Sequence, residues 1–73
     1  MRTFLKVFEV ETGKLRTELD YGSISGKEAI TRCEAARGML AANGWRVKTW
    51  RTVNEAGRRW VLVCVTGAQG VDK

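Results

Sequence analysis

Arg58-Arg59-Trp60-Val61-Leu62-Val63-Cys64-Val65 is the stretch that decides how this chain folds. Read as a strand, Trp60, Leu62 and Cys64 point one way and Val61, Val63 and Val65 the other, so both faces are apolar. A strand with one face in water alternates apolar and polar residues instead. Residues 3–10 share the ambiguity, with Leu5 and Val7 on one face and Phe4 and Phe8 on the other. Two such strands ask for cover, or a use, on both sides of a sheet.

The chain has one helix to offer. Ser25-Gly26-Lys27-Glu28 has the form of a capping box, with Ser25 as N-cap and Glu28 three residues on. The helical pattern runs to about Asn43, and Gly44 suits the left-handed residue just past a helix end. Ala29, Cys33, Ala36 and Leu40 recur at helical spacing, with Ile30 beside them, and form the expected core face. One helix covers one face. The second apolar face is then a contact between copies of the chain, a surface that stacks on ligand rings, or a set of scattered exposed aromatics.

Two hairpins flank the helix. Residues 14–21 alternate, with Leu15, Leu19 and Tyr21 opposite Lys14, Arg16, Glu18 and Asp20. A type I′ turn at Thr12-Gly13 needs positive φ at a β-branched residue, so a three-residue loop, Glu11-Thr12-Gly13, is expected instead. Leu5 then faces Leu19, Val7 faces Thr17 and Lys6 lies across from Glu18. The same loop at Glu55-Ala56-Gly57 sets Trp50 opposite Leu62, Thr52 opposite Trp60 and Lys48 opposite Cys64. Arg46, Lys48, Trp50, Arg58 and Trp60 would then share a face. The expected fold is α+β, in the order β-β-α-β-β: a four-stranded antiparallel sheet with one helix packed on one face. It forms a single domain over residues 1–66, followed by a flexible tail at 67–73.

The 73 residues are 44% apolar and 29% charged, the balance of a folded globular chain rather than a disordered one. No apolar run is long enough to span a membrane, and the N-terminus lacks the apolar stretch of a signal peptide, so a cytoplasmic location is expected. Cys33 and Cys64 are then reduced and serve as small apolar residues. The net charge of +5 is concentrated: residues 45–66 carry Arg46, Lys48, Arg51, Arg58 and Arg59 against Glu55 alone. Concentrated positive charge points to a partner of opposite sign.

Several chemistries are excluded. Without histidine the commonest general base is missing and no Ser-His-Asp or Cys-His arrangement exists. Two isolated cysteines build no usual zinc site, and no cofactor is expected. The same-face carboxylates Glu9/Glu11 and Glu18/Asp20 read as ion pairs with nearby Lys and Arg. The glycines around Ser25 have the wrong spacing for a P-loop. What remains is a binding module, not an enzyme. Basic groups interleaved with aromatics on a sheet suit single-stranded nucleic acid, and the candidate contacts are Arg46, Lys48, Trp50, Arg51, Arg58, Arg59 and Trp60. The competing reading of the face puts Trp50 and Trp60 in the core against the helix, with Arg46 and Lys48 at the sheet margin. The alternative function is an adaptor or inhibitor that docks the same hairpin on an acidic protein. A homodimer or higher oligomer is expected in either case.

Overall fold

The structure is a computed structural model and describes residues 1–67; most of the expected flexible tail lies outside the described residues. The elements are β1 (Arg2–Glu9), β2 (Leu15–Ser23), α1 (Gly26–Ala42), β3 (Arg46–Glu55) and β4 (Arg58–Thr66), in the order the sequence implies. They form one four-stranded sheet of order β2-β1-β4-β3. β1 and β4, the strands apolar on both faces, are the central pair.

Each hairpin is antiparallel, but β1 and β4 run parallel, so the sheet is mixed rather than wholly antiparallel. The helix length is the cause. β2 ends beside the start of β1, where Ser23 meets Arg2. Seventeen helical residues then carry the chain back about 25 Å along the sheet. β3 starts at the far end, where Arg46 meets Thr66, and therefore runs with β2. β4 consequently runs with β1.

The first hairpin has the expected register: Leu5 faces Leu19, Lys6 faces Glu18 and Val7 faces Thr17. Gly13 takes φ +73, and Thr12 Oγ1 braces the loop by donating to Glu9 Oε1 at 2.8 Å and accepting from the Lys14 amide at 3.2 Å. A bulge then brings Leu15, rather than Arg16, opposite Phe8, and Glu9 rather than Val10 pairs with Lys14, so the loop has four residues, 10–13, and not the three expected. Leu15 thus joins the Phe8 face instead of the face of Leu19 and Tyr21.

The second hairpin departs by one residue. Glu55 pairs with Arg58 across a two-residue turn, Ala56-Gly57, with φ +55 and +74. This is the type I′ geometry that a β-branched residue resists at the first hairpin; Ala56, unbranched, accepts it at a smaller cost. Because the side-chain period is two, the slip moves β3 to the opposite face. Val53, not Thr52, lies opposite Trp60, Arg51 opposite Leu62, and Trp50 opposite Val63. A bulge at Lys48 shifts the ladder once more, so that Thr49 meets Cys64 and Val47 meets Val65.

Ser25 Oγ caps α1 by accepting from the Glu28 amide at 3.1 Å, while the Glu28 carboxylate turns outward to Arg32 Nε at 2.7 Å rather than back to the cap. The helix ends as the sequence implies. Gly44 has φ +90, its amide donates to Ala41 and the Trp45 amide donates to Leu40, the paired bonds of a Schellman motif. Cys33 packs with Leu5, Val7, Val61, Val63 and Val65, while Ala36 and Leu40 close over them. Ile30 lies outside this core at 63% exposure. No described helix is long and apolar enough to cross a membrane.

Candidate nucleic-acid interface

The second face of the sheet has no covering layer among the described residues. The parallel pairing of the central strands sets Phe4 beside Trp60, Lys6 beside Leu62, Phe8 beside Cys64 and Arg2 beside Arg58. Phe4 and Trp60 stack, with centroids 4.6 Å apart and planes at 18°. Cations lie over both ends of the stack. Lys6 Nζ is 5.0 Å from the Trp60 centroid, and the guanidinium carbons of Arg2 and Arg58 are each 5.8 Å from that of Phe4. Lys6 thus lies over the ring, and no salt bridge to Glu18 forms among the described residues despite their register.

Arg2 also donates to Asp20 Oδ2 at 2.6 Å, and the Gly22 amide donates to Asp20 Oδ1 at 2.9 Å. The Arg2 bond, then the Gly22 bond, hold the Asp20 carboxyl below its ordinary pKa. Asp20 offsets Arg2 locally and leaves Lys6 and Arg58 as the cations of the stack without a salt bridge among the described residues. Arg51, opposite Leu62, and Arg46, opposite Thr66, extend the basic character along β3, with Glu55 at its end. The other acidic pair expected from sequence takes hydroxyls rather than cations: Glu9 accepts from Thr12, and Glu11 accepts from Thr66. The Thr66 bond, followed by a backbone bond and, less strongly, the nearby Lys48, lowers the Glu11 pKa.

The seven residues singled out from sequence are therefore split. Arg46, Arg51, Arg58 and Trp60 belong to the open face, and Lys48 sits in the β3 bulge. Trp50 and Arg59 are on the helix side: Trp50 packs against the core under Arg37, and Arg59 Nη1 donates to Thr3 Oγ1 at 2.9 Å. A single face holding Trp50 with Trp60 does not form, because the two-residue turn reverses β3.

Set against known protein families, curated proteins and solved structures, the chain finds no match.

Phe4, Lys6 and Arg2 belong to this site and were not among the seven. The signal for them was present. Two strands apolar on both faces belong side by side at the centre of a sheet, which puts the Phe4–Phe8 face next to the Trp60–Cys64 face. Beside the stack, Lys6, Phe8, Val53, Glu55, Trp60 and Leu62 surround a shallow depression of about 290 Å³.

Proposed function

We propose that this chain is a non-catalytic module that binds single-stranded nucleic acid on the open face of its sheet. The observation that carries this reading is the Phe4–Trp60 stack, standing on an uncovered sheet between Lys6 on one side and Arg2 and Arg58 on the other. A lysine over an exposed ring is worth about 0.5–1 kcal/mol. A base stacked on that ring is worth about 1–3 kcal/mol. A base replacing Lys6 on Trp60 is therefore favoured, and it frees the ammonium for a phosphate. Arg58 and Arg51 supply further phosphate contacts. The non-catalytic part of the reading rests on a sequence without histidine. A cytoplasmic location is part of the same reading, with Cys33 and Cys64 on opposite faces of the sheet and unpaired.

The test is a titration of a labelled oligouridine of about twelve nucleotides, followed by anisotropy at several salt concentrations. The expected log affinity falls linearly with log salt, by about 0.7 per phosphate contacted. Lys6→Gln and Arg58→Gln each reduce that slope by close to one contact. Absence of binding at low salt rejects the reading. Weak salt dependence on an acidic protein, with no oligonucleotide binding, favours the adaptor instead.

The depression beside the stack favours a second reading, a face-to-face homodimer. Phe8, Val53 and Leu62 line it, and Cys64 continues their apolar strip. Sedimentation at micromolar concentration separates the two: a dimer that dissociates on adding oligouridine uses the same face, and a monomer leaves the face to nucleic acid.

A further inference from the structure

A second concavity, of about 360 Å³, lies on the helix side of the sheet between α1 and β3. A space of that size holds a small molecule. Ala29, Cys33 and Val61 form its apolar floor, and Ile30 stands at its rim. Arg59, half-buried, reaches in from β4. Its Nη1 is held by Thr3 Oγ1 at 2.9 Å, and its Nη2 lies 3.6 Å from the position a Cβ on Gly26 would take. Arg37 reaches in from the helix, with its guanidinium carbon 5.1 Å from the Trp50 centroid. Neither guanidinium makes a salt bridge among the described residues. Glu34 is the one carboxylate in the lining.

Two guanidiniums and one carboxylate leave a net single positive charge beside an apolar floor. That matches a monoanion with an apolar body better than a phosphate dianion or a neutral ligand. Arg59, half-buried and held by a hydroxyl, has lost much of its freedom before a ligand arrives, which favours binding, while Arg37 stands exposed over Trp50 at the edge of the groove. We propose that the groove between α1 and β3 is a binding site for a small aromatic carboxylate, with its ring on Ala29, Cys33 and Val61 and its carboxylate on Arg59 and Arg37. The site shares no residue with the open face, so it stands or falls independently of nucleic-acid binding.

The probe is 1-naphthoate, titrated into the nitrogen-15-labelled chain, with 1-naphthalenemethanol as its neutral counterpart. The expected result is a saturable shift of the Trp50 indole and of the Ala29, Ile30 and Cys33 amides, with the alcohol about tenfold weaker or more. Arg37→Gln, which leaves the Arg59–Thr3 bond in place, should weaken naphthoate by a similar factor at unchanged melting temperature. Arg59→Gln is the stronger change but removes a bond to buried Thr3, so Arg37→Gln and the alcohol decide the matter. Equal binding of the alcohol, wild-type affinity in Arg37→Gln, shifts centred on Trp60, or no saturable shift at all would each overturn the proposal.

Discussion

The two faces of the sheet are built from the same two central strands, yet they end in different states. On the helix side Leu5, Val7, Val61, Val63 and Val65 are between 0% and 3% exposed beneath Cys33 and its neighbours. On the other side Phe4, Phe8, Trp60 and Leu62 stay half-buried, flanked by one another, by Val53 and Leu15 from the outer strands, and by Arg2, Lys6 and Arg58. On these two strands branched aliphatics fill the covered face and rings with cations fill the open one, while Trp45 and Trp50, under Arg16 and Arg37, lie at the margin of the covered face. A face that only awaited burial has no need of cations over its rings, because each must be desolvated when the cover arrives. The contrast favours a partner with both flat apolar surface and negative charge.

The largest expected difference between the faces is in stability. Leu5→Ala should cost about 2–5 kcal/mol in denaturant unfolding, since Leu5 is 1% exposed at the centre of the core. Leu62→Ala, on the open face, should cost less than half as much. Equal costs at high protein concentration, diverging on dilution, would show that a second copy covers the open face. The thiols report the same contrast chemically. Burial pushes the Cys33 thiol above its ordinary pKa, with Arg59 opposing weakly, and the residue is 6% exposed. Cys64 is half-buried on the open face. Iodoacetamide should therefore label Cys64 well before Cys33; the reverse order would contradict the face assignment.

A smaller effect tests the register that separates Trp50 from Trp60. Ala56 has φ +55, which asparagine tolerates better than alanine. Ala56→Asn should raise stability by about 0.5–1 kcal/mol, and a loss would argue for the three-residue loop. The smallest effect is with acid. Asp20 and Glu11 have folded-state pKa values below their ordinary ones, Asp20 chiefly through Arg2 and Glu11 chiefly through Thr66. Their contributions are present above the ordinary carboxylate range and are lost as pH falls through the lowered values. The melting temperature should fall through that window, and less steeply in Asp20→Asn.

Much of the fold was legible because local chemistry decided it. Ser25 and Gly44 marked the helix ends, Gly13 the left-handed residue of the first loop though not the loop's length, and Leu5, Val7 and Leu19 the first register. The second register was not legible: alanine permits both a two-residue and a three-residue turn, and both faces of β4 are apolar, so hydrophobic pattern could not choose between them. The parallel central pair was hidden for a different reason, since it depends on where a 17-residue helix delivers the chain. Of the site, the charge of β3 and β4 and the ring of Trp60 could be read. That the Phe4–Phe8 face adjoins the Trp60–Cys64 face could also be read, but the register that sets Phe4 against Trp60 could not, because it depends on that parallel ladder.

The chain's three tryptophans allow the most direct test. Trp45 lies under Arg16, Trp50 under Arg37 on the helix side, and Trp60 in the open-face stack. Each indole N–H gives its own signal in a nitrogen-15 correlation spectrum, so one titration with unlabelled oligouridine interrogates both faces at once. The expected result is a saturable shift of the Trp60 indole, diminishing as salt is raised, with the Trp45 and Trp50 indoles unmoved. A shift of Trp50 with Trp60 still, or no shift of any indole at low salt, would contradict binding on the open face.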